Sequence, residues 1–332
     1  MKRLIMGVDG GGTKSHLALF DAAGKLAGAA VRGPLNHEVM EGSYTELETV
    51  LRHFISDALK DAGAELGDVE HTVLGIAGVD TAAQHELIFG ILRRIGLAGF
   101  TLCNDAFLGV AAGCPGGKGI GANNGTGFSI AAMDHSGAAV QVGGLGDLTN
   151  DCGGGSWFGA QAVSAVYDVL YKCGPPTMMQ GLLFAKLDIS HQENYLDTVT
   201  AGIQRETLDI NELNRLVFEA AGLGDAVALG ILQQSAAQYA GGIVYLAKHL
   251  DFPGSDPLYV TFAGSLFVKE KIKILPRLVE ERVCAALDGR SVEFRSLEAA
   301  PVAGAVLWAA RKAGFAVEPA AVRAGLAGAG LK

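Results

Sequence analysis

Gly7-Val8-Asp9-Gly10-Gly11-Gly12-Thr13-Lys14 decides how the rest of this 332-residue chain is read. It follows the apolar run Leu4-Ile5-Met6 and leads into His16-Leu17-Ala18-Leu19-Phe20-Asp21, with Gly24 near the next turn. That order predicts strand, tight turn, strand. Consecutive glycines in a hairpin permit positive φ and leave no Cβ to keep a ligand off the backbone. Their N–H groups can then form an anion-binding concavity. Thr13 adds a hydroxyl donor and Lys14 a positive charge, so Gly11, Gly12, Thr13 and Lys14 are read as a phosphate cradle. Asp9 ends the first strand and faces the same space. A carboxylate beside phosphate repels it unless a cation lies between them, so Asp9 implies Mg2+ held largely through water.

The Walker A loop is a different object. Gly7 and Gly12 have its glycine spacing, but Thr13-Lys14 stand in the reverse order. A glycine hairpin alone is a weak signal, and its plain reading is a tight turn. A second copy changes that reading. Asn123-Asn124-Gly125-Thr126-Gly127-Phe128-Ser129 precedes another apolar run, and Gly12, Thr13, Asp21 and Gly24 map onto Gly125, Thr126, Asp134 and Gly137 at one common offset of 113. Downstream, Val73-Leu74-Gly75-Ile76-Ala77-Gly78 is echoed by Val260-Thr261-Phe262-Ala263-Gly264. The strand and helix around Thr101 to Ala106 are echoed by Ser291 to Phe294 and the helix from Pro301. The duplication predicts two similar α/β lobes, each offering a phosphate loop to a shared cleft.

Composition narrows the function classes. Hydrophobic residues make up 49% and charged residues 18%, as in a well-buried globular enzyme. A net charge of −9 with no basic run argues against nucleic acid as a partner. Cys103, Cys114, Cys152, Cys173 and Cys284 contain no C-x-x-C pair, which argues against a zinc knuckle or disulfide framework and suits a reducing cytoplasm. The chain enters a strand directly after Met-Lys-Arg, so neither a secretion signal nor a membrane association is expected. No uncharged apolar stretch reaches the roughly 18 residues that span a bilayer.

Along the chain, Gly33-Pro34-Leu35-Asn36-His37-Glu38 reads as a loop. Residues 44–63 read as a helix with Leu47, Leu51, Phe54, Ile55 and Leu59 on one face. A second helix through Leu87, Ile91 and Leu92 ends near Gly96. The strand Phe100 to Cys103 then delivers Asn104-Asp105 at its carboxyl end, where ligands of open α/β sheets collect. Asp105 is either a general base there or the N-cap of the following helix, and the two roles are compatible. A third Gly-rich loop, Gly143 to Gly159, suits a hydroxyl-rich or anionic ligand and carries Trp157, read as a core anchor. Residues 174–224 read as helices of an inserted cap or an oligomer surface. Ala240-Gly241-Gly242 in a long helix over 226–250, and Gly304-Ala305 in a helix over 301–313, are expected to let two helices cross closely at a hinge.

These motifs together resemble the sugar kinase, Hsp70 and actin superfamily, and most of all the branch holding N-acetylglucosamine kinases and the BadF/BcrA-type ATPases. Gly7 to Phe20 resembles the first phosphate motif and Gly125-Thr126-Gly127 the second. Gly33-Pro34-x-Asn36-His37 resembles the sugar-binding loop, Asn104-Asp105-Ala106 the motif with the catalytic aspartate, and Phe262-Ala263-Gly264-Ser265 the adenosine motif. Gly143-Gly144-x-Gly146 through Asp151, Gly153, Trp157 and Gly159 resembles the Gly-Trp-Gly…Gly-Asp-Glu-Gly-Ser signature, from which Leu145, Asn150 and Cys152 depart, and Phe128 departs from the small residue that follows Gly127 in the second phosphate motif. Ala122 stands where iron–sulfur activators of the group carry a cysteine.

The resemblance implies two ribonuclease H-like, actin-like ATPase lobes around a nucleotide cleft. Residues 1–115 would form the first lobe, 116–300 the second, and 301–332 a return towards the first. It implies ATP with Mg2+ at Asp9, phosphates on Gly11, Gly12, Thr13, Lys14, Gly125, Thr126 and Gly127, and adenosine at Gly264 and Ser265. Asn36, His37, Asn104, Asp105, Gly144 and Asp151 would hold a small-molecule sugar, with Asp147 a weaker candidate and Asp105 as base. The implied reaction is phosphorylation of an amino sugar or N-acetylated amino sugar, N-acetylglucosamine first among them, by a cytoplasmic homodimer. Two alternatives share the ATP site: an ATPase that drives a partner protein, and a sensor without catalysis.

Overall fold

A computed structural model describes residues 2–125 and 127–331. Thr126, the hydroxyl expected in the second phosphate turn, lies outside the described residues. The strands β1 (Leu4–Gly10), β2 (Ser15–Asp21), β3 (Leu26–Arg32), β4 (Val69–Ile76) and β5 (Phe100–Cys103) form one mixed sheet in the order β3-β2-β1-β4-β5. A second sheet holds β6 (Gly119–Asn124), β7 (Phe128–Met133), β8 (Ala139–Val142), β9 (Leu258–Ala263) and β10 (Val292–Ser296), in the order β10-β9-β6-β7-β8. Read from the opposite edge, this is the same topology, with β6 in the place of β1. The repeat found at the level of residues is therefore a repeat of two whole sheets. In each, a central strand pairs antiparallel with the next strand and parallel with the fourth. Such a strand is covered on both faces, which is why β1 and β6 are buried almost throughout rather than alternating.

Helices α1 (Ser43–Ala62) and α2 (Ala82–Ile95) cover one face of the first sheet. Gly63 ends α1 in the left-handed region at φ 56°, as a C-cap glycine does. Thr81 opens α2 through a capping box with Gln84. Ile91 and Leu92 are buried as expected, but Leu87 is exposed and Ile88 completes the buried face in its place. Between β8 and β9 run α4 (Gly154–Tyr171), α5 (Met179–Lys186), α6 (Tyr195–Gln204), α7 (Asn214–Gly222) and α8 (Ala226–His249). Met179, Leu183, Tyr195, Val199 and Leu216 lie buried in the second lobe's core, so this insertion is structural rather than an appended cap. α9 (Ser265–Val268) and α10 (Ile274–Ala286) link β9 to β10.

The helix after the fifth strand of each lobe lies between the lobes. α3 (Ala106–Gly113) presents Ala106, Val110 and Ala111 to Ala131 and Met133 of the second lobe, and Leu108 to Ile5 and Val73 of the first. α11 (Val302–Ala313) packs on β1, β4 and α3, and α12 (Pro319–Gly328) follows it. The expected crossing of the two small-residue helices takes another form. Gly304 meets the backbone of Leu108 in α3, while Gly242 of α8 sits against Ile130 and Val142 of the second sheet. Among the described residues no single helix is long and apolar enough to cross a membrane.

Candidate active site

The carboxyl ends of the parallel strands open on one cleft of about 500 Å³. This is the size of a small-ligand site, and strand ends are where an α/β sheet places one. β4 leads into Ala77, Gly78 and Asp80, β5 into Asn104 and Asp105, and β6 brings Asn123 from the other lobe, while Asp9, near the end of β1, lies close enough for its charge to act on Asp105. The turn Gly11 to Lys14 lines the cleft opposite Gly127. At Gly12, Gly125 and Gly127 an added Cβ would meet no protein atom within 4 Å, so the space before both turns is open to a ligand. Asn124 is fully buried, with Oδ1 accepting the Gly154 N–H at 2.8 Å and Nδ2 without a partner. A buried unpaired donor beside a Gly-rich turn suits an anionic ligand. Gly264, at φ +86°, packs on the backbone of Asn124 and so sets Ser265 beside the second turn.

The wall of the cleft beside the first Gly-rich turn is built around Asn36. The Leu35 N–H donates to the Gly11 carbonyl at 3.0 Å, tying this loop to the first phosphate turn. The Asn36 side chain accepts the Glu38 N–H at 2.9 Å, which turns Asn36, Glu38 and Val39 towards the cleft. Gly78 stands at φ +81° against Asn36, in a space that no Cβ could share.

Asp105 stands at the N-cap position of α3, but its side chain makes no cap hydrogen bond. The Ala106 N–H donates instead to Asn104 Oδ1 at 2.9 Å, leaving the Asp105 carboxyl to the cleft. Burial, then the negative charges of Asp9 and Asp80, push that carboxyl from an ordinary 3.8 up to about 7. A base with that proton affinity is matched to work near neutral pH.

Asp80 is a residue the sequence reading missed. Its Oδ1 accepts from Asn104 Nδ2 at 3.0 Å and from Gln141 Nε2, in the other lobe, at 2.8 Å. Burial and the charge of Glu38 raise its proton affinity. The rule that singled out Asp105 would have found it, since Asp80 also lies just past a strand's carboxyl end.

Three expected acceptor residues are placed differently. His37 is 6% exposed and stacks on Tyr44 at 4.2 Å, leaving Glu38 as the cleft wall. Asn104 lines the cleft, but both ends of its amide are engaged within the protein. Asp151 accepts from the N–H groups of Gly144 and Gly146, each at 2.9 Å, and from Thr149 Oγ1 at 2.8 Å. It shapes the third Gly-rich loop and borders a neighbouring cavity with Asp147 and Trp157, while Gly144 reaches the cleft. Phe128, its ring 4.1 Å from Tyr239, stands between the two spaces.

Among the described residues no three His, Cys, Asp or Glu side chains converge as a metal cage. A Mg2+ ion that keeps its waters and binds phosphate needs no cage. Asp9, its side chain 14% exposed at the end of β1, fits that role.

Duplicated sheets, helices packed between them and a glycine-lined cleft define a two-lobed actin-like ATPase fold. A candidate N-acetylglucosamine kinase from Chromobacterium violaceum shares it at a TM-score of 0.67 and 20% identity, over 93% of this chain and 99% of that one. The chain belongs to the BadF/BadG/BcrA/BcrD ATPase family, whose model matches residues 6–309. It is 27% identical over 264 residues to an N-acetylmuramic acid/N-acetylglucosamine kinase of Clostridium acetobutylicum, covering 79% of this chain and 85% of the relative. It is 23% identical over 291 residues to an N-acetyl-D-glucosamine kinase of Dictyostelium discoideum, covering 85% and 90%.

Proposed function

We propose that the protein transfers the terminal phosphoryl group of ATP to the primary hydroxyl of an amino sugar or N-acetylated amino sugar, with N-acetylglucosamine yielding its 6-phosphate as the specific case. One observation carries the reading. Asp105 is a half-buried carboxyl of raised proton affinity that makes no cap hydrogen bond and lines the same cleft as both Gly-rich turns and Asn36. Membership of an ATPase family and the names of the two curated relatives support it.

In this scheme the turns at Gly11 to Lys14 and Gly125 to Gly127 hold the phosphates through backbone N–H groups, and Gly264 and Ser265 border the adenosine. Bound Mg2+ supplies charge neutralisation between Asp9 and the phosphates. Asn36 and Glu38 orient the sugar ring. Asp105 takes the proton of the attacking hydroxyl as its oxygen bonds to the γ-phosphorus and the bond to the β-phosphate oxygen breaks, releasing ADP. Such chemistry asks mainly for positioning and electrostatics.

Coupled ADP release against N-acetylglucosamine, glucosamine, N-acetylmannosamine, N-acetylmuramic acid and glucose tests the reading. Saturable stimulation by one amino sugar is the expected result. A slow hydrolysis indifferent to every sugar would favour an ATPase that drives a partner protein. Asp105→Asn is expected to lower kcat by about 10²–10⁴ while nucleotide still binds. Wild-type turnover in that variant would remove Asp105 from the mechanism.

A further inference from the structure

β2 carries a group that neither the core nor the acceptor pocket explains. His16 is 7% exposed, and both of its ring nitrogens are buried without a hydrogen-bond partner. Burying a polar ring unpaired is costly, and an apolar side chain of similar shape would suit the strand better. The β1–β2 register sets His16 directly opposite Asp9. Its Nδ1 lies 3.7 Å from Asp9 Oδ2, too long for a hydrogen bond and within a small side-chain adjustment of one. With Nε2 also unpartnered, no competing hydrogen bond keeps a donor proton from Nδ1.

We propose that His16 is a positioning residue for the phosphate end of the cleft: its Nδ1–H donates to Asp9 Oδ2 when nucleotide and Mg2+ bind, and so fixes the carboxylate oxygen that faces the ion's water shell. The proposal rests on the reading of the cleft as an MgATP site. A carboxylate that reaches a metal through water is only as well placed as the donor behind it. Partners in that outer position are worth about 10–100-fold in metal affinity. The unpaired state of His16 then has a reason, because its partner comes into place with the ligand. Hydrogen-bonding groups held in wait at a site cost stability until the ligand arrives.

Calorimetry of ADP binding to the full chain, with excess Mg2+ and again in EDTA, gives the ratio of affinities that the ion confers. His16→Leu is expected to reduce that ratio about tenfold or more. Its ligand-free Tm is expected to equal or exceed that of the wild type, because the change removes an unpaired buried group. His16→Asn, whose amide nitrogen falls near the position of Nδ1, is expected to restore much of the ratio, and His16→Gln is not. A wild-type ratio in His16→Leu overturns the proposal. Should that variant fail to fold, the Asn and Gln variants decide: Asn keeping the ratio and Gln losing it supports the role, and equal ratios overturn it. Wild-type protein that binds ADP in neither condition would instead defeat the MgATP reading, and the role of His16 with it.

Discussion

Asp105 sits where burial works against its charge. Its carboxyl titrates at about 7 in the folded chain against an ordinary 3.8, so the folded protein holds the proton more tightly than the unfolded one. Stability is then greatest below the ordinary value and falls as pH rises towards 7. The ionised form that the proposed transfer uses appears over the same interval, so kcat is expected to rise with pH and level off above about 7. Asp105→Asn should remove the stability loss. Its ligand-free Tm at pH 8 is expected to exceed the wild type's, at roughly 2–4 °C for each kcal/mol relieved. Scanning fluorimetry from pH 5 to 8 checks this, and a variant less stable at pH 8 would contradict it. Asp80 contributes negative charge to the same site, so Asp80→Asn is expected to move the inflection of the pH–rate profile to lower pH. An unmoved inflection would mean that burial and Asp9 set Asp105 without Asp80. Asp105 and Asn36 were legible as residues because each stands beside a turn or strand end. His37 and Asp151 were not: adjacency in sequence does not say which side of a loop meets the ligand and which holds the loop together.

Two glycines argue the same point for helices. The Gly304 position in α11 touches main chain of α3, with the Leu108 carbonyl and the Ala112 N–H both within contact of an added Cβ. Main chain cannot step aside without moving the helix. The Gly242 position in α8 faces the terminal methyl of Ile130, which can rotate. Ala gains up to about 1 kcal/mol over Gly in a helix interior. Overpacking a rigid contact costs about 1–3 kcal/mol. Gly304→Ala is therefore expected to be destabilising and Gly242→Ala close to neutral, and their unfolding midpoints in urea give the comparison. Equal effects would mean that α3 and α11 can slide apart at little cost. Periodicity revealed both helices and their small residues. It did not reveal their partners, because a stripe of glycine and alanine accepts a helix or a sheet equally well.

The lobes of the whole molecule already touch across the cleft where Gln141 donates to Asp80. With α3 and α11 as the packed seam, rotation of one sheet against the other is the motion that this architecture permits. Closure over ligands follows if the cleft must exclude water during transfer. The radius of gyration from small-angle scattering is expected to fall when a non-hydrolysable ATP analogue and N-acetylglucosamine are added together, and to fall less with either alone. No change with both would mean that the apo form is already closed. By itself the sequence determined the duplicated α/β lobes, the two glycine turns and the carboxylates at strand ends, because backbone conformation and side-chain alternation are local properties that residue order records. Only the tertiary structure decided that α3 and α11 share the seam, that Asp80 joins Asn104 to Gln141, and that Asp151 serves a loop rather than the cleft. Those facts depend on distances between segments tens of residues apart, which are set when the two sheets pack and not before.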